Sequence, residues 1–108
     1  MSNGINLWLD DKRNPKDFAP HIDWLWVMTA PAAITALETG TVKHISLDHD
    51  LGLLPEEGCG YDVAVWLEEA AYLNKIPRLT WAIHSANPVG KKRMEAALNN
   101  ADRYWNTH

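Results

Sequence analysis

The sequence predicts an α/β domain built on a parallel sheet, and three observations carry that prediction. Short apolar runs recur at Ile5 to Leu9, Trp24 to Met28, His44 to Leu47 and Leu79 to Ile83, each bounded by loop signals. Segments with helical spacing follow the second, third and fourth of them, the alternation that produces crossover connections and parallel strands. Three of the runs also end in polar clusters, Asp10-Asp11, Asp48-His49-Asp50 and His84-Ser85. In a parallel sheet buried on both faces, the C-terminal strand ends share one edge, and ligands bind there.

The elements follow in order. Strand one is expected over Ile5 to Leu9. Lys12 to Ile22 holds Pro15 and Pro20 with few apolar positions, which reads as a loop or a short helical turn. After strand two, Thr29 is a good N-cap, Ala30-Pro31 suits a first turn, and Gly40 ends a helix that includes Ile34 and Leu37. Strand three is expected at about His44 to Leu47, followed by a glycine- and acid-containing loop from Leu51 to Gly60. Val63, Trp66, Leu67 and Ala70 stand at helical spacing and predict a helix from about Tyr61 to Leu73. Pro77 precedes strand four. Asn87 then caps a last helix, with Pro88 at its first position, running to about Asn99. Tyr104 and Trp105 in the tail are left either to a short fifth strand or to covering the core. With strand order 2-1-3-4 the switch point falls between strands one and three, beside Asp10, Asp11 and Asp48.

The 108 residues suit a single domain, taken as 1–108, long enough for one core. A formal charge of −4 argues against a broad nucleic-acid-binding surface, and the six Trp are read mainly as core. One cysteine, Cys59, excludes an internal disulfide and any multi-cysteine metal site, and it fits a reducing cytoplasm. The polar start Met-Ser-Asn-Gly lacks signal-peptide character, and no run has the length of a membrane span. A cytoplasmic protein with no membrane partner is therefore expected; the oligomeric state is not legible.

The strand ends carry the chemistry. Carboxylates brought close repel one another unless a cation sits among them, so Asp10, Asp11 and Asp48 are read as a divalent metal site. Hard oxygen ligands favour Mg2+ or Mn2+ over zinc. His49 and His84 flank the same predicted crevice and titrate near neutrality, which suits proton transfer. His21, His44 and His108 are read as structural or surface positions. Ser85, Asn87 and the start of the last helix form a phosphate-binding candidate, because a helix N-terminus presents N–H groups and positive partial charge. Lys91, Lys92 and Arg93 in its first turns oppose the helix dipole unless an anion occupies the helix mouth. Arg13 is placed to grip phosphate oxygens bidentately.

These residues stand in the order seen in receiver domains, and the chain resembles that flavodoxin-like family: an acidic pair after strand one, an acid ending strand three, a hydroxyl ending strand four. The resemblance implies a three-layer sandwich around the sheet. It puts Asp48 at the phospho-acceptor position, Asp10 and Asp11 at the metal position, and Asp50 where the family uses a backbone carbonyl. The strings Leu9-Asp10-Asp11-Lys12-Arg13, Ser46-Leu47-Asp48-His49-Asp50-Leu51-Gly52, Gly60-Tyr61-Asp62-Val63 and Ile83-His84-Ser85-Ala86-Asn87-Pro88-Val89-Gly90 more closely resemble the divergent group of cyclic-phosphate processing receiver domains. The first crossover helix is reduced to a loop, and Ala101 to His108 offers no counterpart of the strand and lysine that complete the phosphorylation switch.

The reading favoured by this resemblance is a metal-dependent phosphoesterase, a hydrolase that opens a cyclic phosphate on an RNA end or a small cyclic nucleotide, with RNA repair as the implied setting. Asp48, His49 and His84 are its expected catalytic residues; Arg13, Ser85, Asn87 and Lys91 hold the substrate. The alternative is a non-catalytic receiver-like module that binds or senses a nucleotide or phosphoryl group.

Overall fold

The computed structural model describes residues 4–51 and 58–107. Along the chain come β1 (Ile5–Leu9), a 3-10 turn (Pro15–Asp17), β2 (Trp24–Val27), α1 (Ala30–Glu38), β3 (Val42–Leu47), α2 (Gly60–Tyr72), β4 (Thr80–Ile83) and α3 (Pro88–Thr107). The strands form one parallel sheet in the order β2-β1-β3-β4, the expected receiver-like α/β arrangement.

One core joins the sheet to the helices. Leu7, Leu9, Ile45 and Leu47 project from the central strands towards Ala33 and Leu37 of α1, Val63 and Leu67 of α2, and Met94 and Leu98 of α3. Burying a large aliphatic side chain is worth roughly 1.5–3 kcal/mol, so this face dominates the stability of the sheet. A bulge tunes it. Ile5 pairs with Val42 but Asn6 with His44, leaving Lys43 as an extra residue. Side chains alternate along a strand, and the extra residue turns Val42 into the core, where it is buried with Ile45 and Leu47.

The other sheet face is built differently. Trp8 and Ser46 project from it, Trp8 packs edge-on against Trp24, and Trp24 lies against His44. Where the sandwich needs a third layer, the described residues supply the segment around the 3-10 turn, whose Phe18 ring stacks on Trp8 at 5.7 Å. The turn has local causes: the Asn14 side chain accepts the Lys16 N–H, and Pro15 fixes the backbone at the first position. Across β4 this face is open, with Thr80 and Ala82 exposed while Trp81 and Ile83 pack against the core.

Thr29 caps α1 as expected, its hydroxyl accepting the Ala32 N–H at 3.2 Å. The last helix differs from expectation. It does not stop near Asn99 but continues to Thr107, so the tail forms no fifth strand. Met94, Ala97, Leu98, Ala101 and Trp105 make a continuous buried stripe at helical spacing, and α3 packs along α2 through it. The remaining boundaries move less: β3 begins at Val42, β2 ends at Val27, and α2 spans Gly60 to Tyr72. The expected loop from Leu51 to Gly60 lies mostly outside the described residues, as does His108.

Candidate metal and phosphate site

The sheet ladder brings three strand ends side by side. One residue past each strand, the Asp10 N–H donates to the Val27 carbonyl at 3.1 Å, the Asp48 N–H to Leu9 at 2.9 Å, and the His84 N–H to Leu47 at 2.9 Å. Gly60 allows α2 to start against the same edge. Its N–H donates to the His49 carbonyl at 2.9 Å, and a Cβ there would overlap the Asp48 carbonyl oxygen.

The acidic residues converge as expected. Asp10, Asp11 and Asp48 each offer a carboxylate oxygen, and these atoms all lie within 4.8 Å of one another. Asp10 is 1% exposed and Asp48 8%. Asp10 Oδ1 accepts the backbone N–H groups of Lys12 (2.8 Å) and Arg13 (3.0 Å), folding the loop around it. Two indoles tether that loop from the sheet: Trp26 Nε1 donates to the Asp10 carbonyl at 2.7 Å and Trp8 Nε1 to the Arg13 carbonyl at 2.8 Å. Asp48 Oδ1 accepts the His49 N–H at 2.8 Å. Burial pushes the Asp48 carboxyl above its ordinary range and the neighbouring Asp10 charge adds to this, while the His49 N–H, His84 and Arg13 pull the other way. Carboxylates crowded this closely, two of them buried, could hold a metal ion, as in receiver domains.

The two expected catalytic histidines have different surroundings. His84 Nε2 donates to Asp10 Oδ2 at 3.0 Å, its Nδ1 meets Ser46 Oγ at 2.8 Å, and its ring lies 4.1 Å from that of Trp8, 6° from parallel. Burial lowers its pKa, and Asp10 offsets part of that fall. His49 Nδ1 shares a hydrogen bond of 2.9 Å with Asp50 Oδ1, and its ring packs over Gly90 in the first turn of α3. The bond to His49 holds the exposed Asp50 carboxyl below the usual carboxylate range.

A cleft of about 180 Å³ opens over the carboxylates, lined by Asp11, Lys12, Arg13, Asp48, Asp50 and Ala86. Arg13 spans it: one guanidinium nitrogen donates to the His84 carbonyl at 3.0 Å and lies 3.7 Å from Asp10 Oδ2. With five N–H donors, the guanidinium has capacity beyond that bond. Ser85 and Asn87 flank Ala86 but serve the helix cap. Ser85 Oγ accepts the Asn87 N–H at 3.1 Å, and Asn87 Oδ1 accepts the Gly90 N–H at 2.9 Å. Lys91, Lys92 and Arg93 are exposed on α3 outside the lining, with Arg93 over the Tyr61 ring. Neither His49 nor His84 is among the lining residues. Sequence reasoning missed Lys12, Ser46 and the two indole tethers. Lys12 was legible as the cation next to the aspartate pair; Ser46, Trp8 and Trp26 find their partners only in the folded sheet.

A parallel sheet in this order, with an acidic pair after β1 and a carboxylate after β3, defines a receiver-like domain with a candidate metal cleft. The family model described as the cyclic-phosphate processing receiver domain matches residues 5–100, and the chain belongs to that family. The family name ties the domain to cyclic-phosphate processing and so to a phosphate-bearing ligand. Comparisons with curated proteins and with solved structures return no match. Among the described residues, no helix is long and apolar enough to cross a membrane.

Proposed function

We propose that the chain is a single receiver-like domain, residues 1–108, that hydrolyses a cyclic phosphate with the help of Mg2+ or Mn2+. The substrate is an RNA end or a small cyclic nucleotide, met in the cytoplasm, and RNA repair is the setting the family suggests. The observation that carries this reading is the convergence of Asp10, Asp11 and Asp48 beneath a cleft whose wall also holds Lys12 and Arg13. Three acids demand a cation, and two bases beside them suit an anion that reaches it.

In this reading Asp10, Asp11 and Asp48 hold the metal. Once bound, a divalent ion polarises a phosphoryl oxygen and offsets charge that builds on the phosphate during attack. Arg13 and Lys12 bind the remaining phosphate oxygens, with Ser85, Asn87 and Lys91 completing the pocket if the α3 cap opens to an anion. Hydrolysis adds a water oxygen to phosphorus, breaks one ester P–O bond of the ring and leaves a phosphomonoester beside a free hydroxyl. One proton leaves the water and one reaches the departing oxygen. His49 serves that exchange from behind Asp50, a lining residue of the cleft whose carboxylate orients the ring.

The test combines calorimetry with turnover. The purified protein should take up Mg2+ or Mn2+ and release linear phosphomonoester from nucleoside cyclic phosphates or from RNA ending in a cyclic phosphate. Metal uptake with no product from any of these would instead support the non-catalytic binding module. Absence of metal uptake, with or without a phosphorylated ligand, would reject the site itself.

A further inference from the structure

His84 is placed unlike a proton-transfer group. Both of its ring nitrogens have protein partners, Asp10 Oδ2 at 3.0 Å and Ser46 Oγ at 2.8 Å. A carboxylate can only accept, so Nε2 carries the proton, and Nδ1 of the neutral ring then accepts a hydrogen bond from the Ser46 hydroxyl. The plane of the ring is set by Trp8, stacked 6° from parallel, and its backbone carbonyl is held by Arg13 Nη1 at 3.0 Å. Ser46 and Trp8 are themselves buried, at 5% and 4% exposure, so the hydroxyl is no exposed nucleophile. The Asp10 carboxylate is equally constrained, with Oδ1 bound to the Lys12 and Arg13 N–H groups and Oδ2 to His84.

We infer that His84 is a positioning residue rather than a proton carrier: with Ser46 and Trp8 it fixes the orientation of Asp10, and through Asp10 the affinity for the cation. The inference rests on the metal reading above and assigns roles to Ser46 and Trp8 that the strand pattern alone does not give. Groups behind a metal ligand commonly hold it this way, and losing one costs about 10- to 100-fold in metal affinity or activity.

The variants His84→Gln, His84→Ala and Ser46→Ala separate the possibilities. The glutamine amide N–H replaces Nε2–H towards Asp10 but cannot act as an acid or a base. Calorimetry should find Mg2+ affinity within about threefold of wild type in His84→Gln and about tenfold or more weaker in His84→Ala, with hydrolysis falling in parallel. Equal Mg2+ affinity in all three variants, or hydrolysis abolished in His84→Gln while its Mg2+ affinity stays intact, would overturn the inference. If His84→Ala does not fold, the glutamine variant and Ser46→Ala still carry the comparison. A readout independent of metal comes from the imidazole nitrogens in long-range 1H–15N spectra of the metal-free protein. A neutral, Nε2-protonated His84 whose Nδ1 resonance shifts in Ser46→Ala, as that nitrogen loses its hydrogen-bond donor, supports the inference; an Nδ1-protonated wild-type ring overturns it. Lack of Mg2+ uptake by the wild type would defeat the metal reading and with it the effect on cation affinity, while these spectra decide separately whether His84 holds Asp10 or carries a proton.

Discussion

Asp48 concentrates the electrostatic tension of the metal-free protein. Burial and the Asp10 charge raise its pKa, so the folded state holds its proton more tightly than the unfolded state does. Its contribution to stability is therefore present in acid and is lost as pH rises through the folded pKa. Asp48→Asn should raise the melting temperature of the metal-free protein at neutral pH while abolishing Mg2+ uptake by calorimetry. Unfolding of this variant would contradict the assignment. Gly90→Ala probes the other side of the site. A methyl there would overlap the His49 ring, whose side chain is 17% exposed and has room to swing outwards. Hydrolysis should fall in Gly90→Ala with Mg2+ affinity unchanged, because the His49 ring, and not the Asp10 or Asp48 side chain, lies against Gly90. At this scale the aspartates were legible, since a strand-end carboxylate declares itself by position. Ser46 was not: its partner lies 38 residues away, and Asp10 and His84 are separated by 74. No local pattern records such pairs.

Among the elements, α1 and α3 show what local chemistry does and does not fix. Thr29 caps α1 with its side chain, and both its identity and the Pro31 that follows were readable. Thr29→Ala should cost about 1 kcal/mol in urea unfolding. The end of α3 lies beyond the expected Asn99, because the buried stripe continues past Asn99 and Asn100 through Ala101 and Trp105. Packing overrides the weak helix propensity of asparagine. Trp105 is 8% exposed in the main core, so Trp105→Ala should destabilise the fold by about 3–5 kcal/mol, read from the same denaturation curves. If instead the tail were dispensable, that variant would unfold like wild type. The start of β3 was missed for a related reason. A strict two-residue alternation puts Val42 on the wrong face, and only pairing with Ile5 reveals the bulge that returns it to the core.

For the whole molecule, burial lowers the pKa of both His44 and His84 below the ordinary 6.5. The unfolded chain then binds more protons than the folded one as pH falls past that value, so acid works against folding. The melting temperature of the metal-free protein should drop as pH is lowered through 6.5, and His44→Gln should remove part of the slope. A flat profile in that window would refute the burial of both rings. Sheet order and polarity were legible because crossover rules leave few topologies for this pattern. The share of each face was not, because aromatic runs read alike whether a helix or a turn lies over them. The placement of the tryptophans has a practical outcome. Trp8 lies flat on the His84 ring and Trp26 holds the backbone of Asp10, so two indole fluorophores sit directly beneath the carboxylates. Ion arrival at that edge should alter native emission, giving the protein an internal optical gauge of its own occupancy without any added dye.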